Sequence, residues 1–109
     1  MDLDEFFEPS TRYLEVRDEL RRGYLETISE AATEAIGQLI MPNDQASMAL
    51  DIAQFTAFLM VEKLADAMGV DNADRWVMKR LWGKINKSME QEIPLMLNEY
   101  AEATRRGEV

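Results

Sequence analysis

The sequence lacks two residue types on which much protein chemistry depends, since its 109 residues include no cysteine and no histidine. Without cysteine the chain can form neither a disulfide nor a thiolate nucleophile, which fits a reducing compartment, so we expect a cytoplasmic protein. Without thiolate or imidazole ligands, we expect no zinc, copper or Glu-x-x-His di-iron site. Histidine-dependent acid–base catalysis and Ser-His-Asp triads are excluded.

Other absences concern the fold. Glycine and proline are scarce, with five and three residues. No segment alternates apolar and polar residues with an enrichment in β-branched types, so no strand is predicted. The chain lacks an uncharged apolar run of roughly 18 residues, the length that a membrane span requires, and we expect no membrane segment. The acidic N-terminus has no basic region, so we expect no secretory signal.

The residues that are present predict helices throughout. Apolar residues make up 47% of the chain, which suffices for a core in a chain of this length. We predict a single helical domain over residues 1–109, of the all-α class. Its architecture should be a compact bundle of three long helices plus a short C-terminal helix or a kinked extension after Pro94. Residues 1–9 form an acidic, aromatic N-terminal segment.

Capping residues and glycines predict where the three helices begin and end. In chain order, the predicted N-caps are Ser10 or Thr11, Asn43 or Asp44, and Asp71 or Asn72, and the predicted ends are Leu39, Gly69 and Gly107. The helical wheel assigns a core face to the first helix. This face comprises Tyr13, Leu20, Tyr24, Ile28, Ala31, Ala32, Ala35 and Leu39.

The second predicted helix is apolar in every direction, because its central stretch ALDIAQFTAFLMV carries one charge. A helix of this kind is buried on two sides. Neighbouring helices of the same chain are one way to cover both sides. The other is a homodimer interface through Phe55, Phe58 and Leu59.

An acidic stripe follows the first predicted helix on the side opposite its core face. Glu26, Glu30 and Glu34 repeat every four residues, so their backbones step by about 6 Å along the helix axis. This step is close to the spacing of neighbouring DNA phosphates, which we put at about 7 Å. The stripe is therefore typical either of a nucleic-acid mimic that occupies a basic groove or of an ordinary solvated helix face.

A basic stripe follows the third predicted helix, where Trp76 and Arg80 lie about 180° from the centre of the apolar face. Tryptophan beside arginine is typical of protein interfaces. Alternatively, Trp76 folds back on Val70 or packs under a neighbour. The opposite charges of the two stripes also permit association between copies of the chain.

The opening stretch DLDEFF places Phe6 and Phe7 among acidic residues. These side chains would either dock on the bundle or form a docking segment, in which the charges steer the chain to a basic partner and the phenylalanines fill a pocket.

Together these features predict a non-enzymatic protein-binding module. With a net charge of −9, nucleic acid is a poor direct partner and a basic protein surface is a better one. In general character the chain is similar to phage-encoded inhibitors, antitoxin and immunity proteins and secretion chaperones, although no motif supports this. We expect an inhibitor or adaptor that occupies the basic surface of a partner such as a nucleic-acid-handling complex, most sharply a phage-type anti-defence inhibitor.

The predicted partner-binding residues are Phe6, Phe7, Glu26, Glu30, Glu34, Trp76 and Arg80. We predict no catalytic residue, metal ligand or cofactor. One alternative is a structural or assembly subunit that self-associates through the second helix. Another is a carboxylate-dependent enzyme, for which the sequence offers only isolated carboxylate pairs.

Overall fold

A computed structural model describes residues 2–108 of the chain. Its helices are α1 (Leu3–Phe6), α2 (Thr11–Gly37), α3 (Pro42–Ala67), α4 (Asp74–Lys87) and α5 (Ile93–Arg105), with a π-helical turn over Ser88–Glu92 between α4 and α5. These residues include no β-strand. The prediction of an all-α fold with three long helices and a helix after Pro94 is confirmed. Helices α1 and α2 belong to one unit, and α3, α4 and α5 belong to a second.

Helix α2 begins where the sequence predicts. Ser10 is its N-cap, and the Ser10 hydroxyl oxygen accepts a hydrogen bond from the Tyr13 N–H at 3.1 Å. The helix ends at Gly37, two residues before the predicted end.

The core face predicted for α2 is only partly covered, and no side chain of this helix is fully buried. Tyr13, Leu20, Tyr24 and Ala31 are exposed, whereas the other four residues of the predicted face are half-buried: Ile28, Ala32, Ala35 and Leu39. Within its own unit the only other described helix is the four-residue α1, which has too few side chains to cover a 27-residue helix.

Helix α3 begins with Pro42, and the predicted caps Asn43 and Asp44 are wrong because both lie inside its first turn. Proline suits this first position because its fixed φ is helical and its missing N–H would have had no intrahelical partner. The predicted end at Gly69 is confirmed. Gly69 has φ +71°, and the Val70 N–H donates to the Ala65 carbonyl at 2.9 Å, which closes the helix with a Schellman motif.

Helix α4 begins after Ala73, so the predicted caps Asp71 and Asn72 are also wrong. Asn72 has φ +57° and belongs to the connection that leads into the helix. At the other end, α4 continues through the π-helical turn, in which the Ile93 N–H donates to the Ser88 carbonyl. Pro94 therefore lies in the first turn of α5 rather than breaking the helical path.

The core of the second unit lies where α3 packs against α4 and the π-helical turn. Met78, with 4% of its surface exposed, and Gln54, with 8%, are the two residues that count as buried between residues 2 and 108. Phe55 on α3 is 74% exposed. The expectation that both sides of α3 are covered is therefore wrong for this chain on its own. None of the described helices is both long and apolar enough to cross a membrane.

Candidate partner-binding surfaces

The first candidate surface is the acid row, which we define as Glu26, Glu30 and Glu34 on α2. All three side chains are exposed, and none forms an ion pair with any residue from 2 to 108. The nearest basic residue on this face is Arg22, one turn before Glu26, and residues 23–62 include no lysine or arginine. The acid row is therefore an exposed surface of net negative charge with a basic residue at one end only.

The acid row also opposes the electrostatics of its own helix. Like charges four residues apart destabilise a helix by about 0.2–0.5 kcal/mol per pair. Glu34 lies in the last turn of α2, where the helix dipole is negative and a basic residue would be favourable, but the last turn contains none. Local helix stability therefore does not account for these residues.

The second candidate surface is the aromatic pair, Phe6 and Phe7. The Asp2 carboxylate caps α1 by accepting hydrogen bonds from the N–H groups of Asp4 and Glu5 at 3.1 and 3.3 Å. The two rings meet edge to face with their centroids 5.1 Å apart, and both remain exposed. Within their own unit, which ends at Leu39, no described residue buries either ring.

The third candidate surface lies on α4. The Arg80 guanidinium carbon is 3.9 Å from the centroid of the Trp76 ring, and Trp76 is 61% exposed. The two residues are thus brought together as the wheel predicts, and the alternative in which Trp76 packs under a neighbour is wrong. We define the basic face as Arg80, Lys84 and Lys87, with Trp76 one turn before it.

The three residues predicted for self-association differ in how exposed they are. Phe55 and Leu59 are exposed and line an apolar groove on α3 together with Met48 and Ile52. Phe58 is half-buried and lines a small cavity between α3 and α4 together with Gln54, Trp82 and the more exposed Phe55. Phe58 therefore contributes to the packing of α3 against α4.

One cluster in the second unit has no counterpart among the predicted residues. The buried Gln54 side chain donates from its amide nitrogen to Asn86 Oδ1 at 2.6 Å and to Glu90 Oε1 at 3.4 Å. A side-chain amide inside the stretch ALDIAQFTAFLMV is the signal that would have found it. Because a buried amide needs partners, the cluster fixes how α3 and α4 align.

A second unassigned feature is an apolar groove of about 390 Å³ between α3 and the start of α5. It is lined by Ala46, Ala49, Leu50, Ala53, Met89, Ile93, Pro94 and Leu97. The short side chains of Ala46, Ala49 and Ala53 leave the space that forms this groove on α3. Across residues 2–108, no group of three or more carboxylates is placed to hold a metal ion.

Comparison of the chain with protein-family models, with curated proteins and with solved structures found no match.

Proposed function

We propose that this chain is a non-enzymatic, cytoplasmic protein-binding module that occupies a basic surface of a partner protein. The observation that carries the proposal is the acid row, which is exposed, forms no ion pair with residues 2–108, and ends with Glu34 in the last turn of its helix, where the helix dipole disfavours a negative charge. A charge arrangement that costs helix stability is accounted for by a binding role.

The spacing of the acid row favours a partner that normally binds nucleic acid. Its charges follow one side of a rigid helix in steps of about 6 Å, comparable with the spacing of phosphates along a strand. A groove lined with lysine and arginine for phosphates would accept such a helix. The corresponding function is an inhibitor or adaptor of a nucleic-acid-handling complex, with a phage-type anti-defence inhibitor as the sharpest version.

The aromatic pair would supply binding affinity, which exposed charges alone provide only weakly. Surface ion pairs contribute only about 0–1 kcal/mol each, so they steer an encounter more than they hold a complex. Buried aromatic anchors are the usual source of affinity at an interface. We therefore assign steering to the acid row and anchoring to Phe6 and Phe7.

The test is affinity capture from lysate of the source cell or its host, with washes at increasing salt and identification by mass spectrometry. The variant E26K/E30K reverses two charges of the acid row. The matched control E99K/E102K reverses two exposed charges on α5 and changes the net charge equally. A third variant, F6S/F7S, removes the aromatic anchors.

We expect one basic partner that the wild type and E99K/E102K capture at low salt and that E26K/E30K does not. Capture by F6S/F7S should survive only the mildest washes, because steering remains while anchoring is lost. Capture that ignores both salt and E26K/E30K would reject the proposal.

A second candidate function, an assembly subunit, is favoured by the exposed apolar groove around Phe55 and Leu59 on α3. A dimer formed there would be driven by apolar burial and would resist salt. Sedimentation of the wild type and of F55S at high salt tests it. A monomer mass for both proteins would exclude this assembly.

A further inference from the structure

We infer that the acid row of one copy docks on the basic face of a second copy, so that the protein masks its own partner-binding surface when no partner is present. The inference rests on the proposed function, because it names what covers the acid row in the free protein. Beyond that function, it states that the basic face binds the acid row of a second copy. It also states that this self-association regulates binding of the partner.

The first argument is charge complementarity at matching spacing. The acid row spans eight residues of helix, or about 12 Å, and the basic face from Arg80 to Lys87 spans seven, or about 10.5 Å. Three negative charges on one helix thus match three positive charges on another, at steps of about one turn. The match holds for parallel and for antiparallel helices.

The second argument is that these charges have little to neutralise them within the described chain. Arg80 and Lys84 form no ion pair with residues 2–108, and Lys87 approaches only Glu92, at 3.9 Å between two exposed side chains. Apart from Asp74, residues 73–89 carry only positive charges. A second copy therefore offers each surface the opposite charge that it lacks.

The third argument concerns the position of Trp76, four residues before Arg80. The acid row is bounded by glycines at the same distance on both sides, Gly23 three residues before Glu26 and Gly37 three residues after Glu34. When Lys87 is set opposite Glu34 in parallel, Trp76 lies opposite Gly23, and when Lys87 is set opposite Glu26 in the antiparallel direction, Trp76 lies opposite Gly37. If Arg80 is instead set opposite the end of the acid row, Trp76 moves one residue beyond the glycine, or about 1.5 Å along the axis. In either direction the exposed indole therefore lies within one residue of a position without a side chain.

These glycines have no packing reason within the described chain. A Cβ built on Gly23 or on Gly37 would meet no atom of another residue within 4 Å. Gly83, on the same side of α4 as Arg80 and Lys87, is equally open. A glycine inside a helix costs about 0.5–1 kcal/mol relative to alanine, and close approach of another helix is a reason to keep it.

The test is a charge exchange between two variants, followed by sedimentation over a range of protein concentrations. One variant, E26K/E30K/E34K, makes the acid row positive, and the other, R80E/K84E/K87E, makes the basic face negative. Each alone should dissociate at least about tenfold more readily than the wild type, because attraction becomes repulsion. Circular dichroism of each variant shows whether it remains helical.

Mixing the two variants should restore assembly, because each now carries the surface that the other requires. Wild-type assembly should weaken steadily from about 0.05 M to about 1 M salt. W76A, G23L and G37L probe the indole contact. W76A should weaken assembly without lowering the helical content. Of the two glycine variants, only the one whose position lies near the indole should weaken assembly, so G23L should do so if the helices are parallel and G37L if they are antiparallel.

Three results would overturn the inference. The first is a wild type that sediments as a monomer at every concentration and salt. The second is a mixture of the two variants that restores nothing, with recovery only when all six substitutions share one chain. The third is assembly that persists at high salt and disappears only in F55S, which would assign it to α3.

Failure of this inference and failure of the proposed function are separable. Charge-dependent assembly without any captured partner would reject the function alone. A captured partner together with a strictly monomeric wild type would reject the masking alone. If both are right, K84E/K87E, which keeps the predicted partner-binding residues Trp76 and Arg80, should capture more partner than the wild type, because its acid row is less covered by a second copy.

Discussion

Helices α2 and α3 are nearly equal in length, 27 and 26 residues, but differ in what stabilises them. Ten residues of α2 are charged against five of α3, and α2 has no buried side chain, whereas α3 packs against α4. An isolated helix rests on backbone hydrogen bonds and caps, while a packed helix gains most of its stability from tertiary contacts. The comparison separates a helix with buried side chains, α3, from one without, α2.

The polar residues of the two helices show the same contrast. The polar group that α3 buries, Gln54, has partners at 2.6 and 3.4 Å. The carboxylates of the acid row on α2 have no ion-pair partner between residues 2 and 108. Exposed carboxylates without an ion pair among the described residues also occur on α3, at Asp44, Asp51 and Asp66, so the buried Gln54 is what distinguishes the two helices.

The largest effect should come from the packed pair. Replacing Met78 by alanine removes the most buried apolar side chain of the described residues and should cost about 2–5 kcal/mol of unfolding free energy, measured by urea denaturation. M96A is the matched control, since Met96 is exposed on α5 and its loss should cost less than about 0.5 kcal/mol. Equal costs for the two substitutions would show that α3 and α4 do not pack in solution as described.

A smaller effect should come from the polar cluster. Q54L should cost about 1–3 kcal/mol, because the Asn86 and Glu90 oxygens lose their donor. Adding N86L should recover part of this loss, since replacing both partners by apolar side chains leaves fewer polar atoms unsatisfied. Q91L, at an exposed position, is the control. A double variant less stable than the sum of the two single changes would contradict the assigned hydrogen bond.

The comparison also shows what the sequence could predict of the fold. Local signals succeeded where the chain itself supplies the partner, as at the Ser10 cap and at the Gly69 end. They failed at Asn43 and Asn72, because Pro42 begins α3 and a residue with positive φ leads into α4. Capping preferences describe single positions, whereas the start of a helix also depends on the backbone path that leads into it.

The candidate site was predictable to a similar degree. The wheel placed Trp76 beside Arg80 because residues four apart share a helix face, and the structure confirms the contact. The helical wheel did not predict that Phe58 would be half-buried and Phe55 exposed, although both line the cavity beside Trp82, because burial depends on which side of α3 meets α4. The core face assigned to α2 is exposed at Tyr13, Leu20 and Tyr24 and half-buried at Ile28 and Ala32. An apolar stripe predicts that a surface is covered, but it does not predict which element covers it.

The smallest effect in the comparison should come from the exposed face of α2. Leu20 is 64% exposed, so L20A should change the unfolding free energy by less than about 0.5 kcal/mol at low protein concentration. L81A, at a half-buried position on α4, should cost clearly more. If L20A instead costs about 2 kcal/mol or more, this face of α2 is covered in solution, and the contrast between a displayed α2 and a packed α3 no longer holds. Repeating the measurement with E26K/E30K/E34K, which prevents docking of the acid row, then shows whether that cover depends on a second copy.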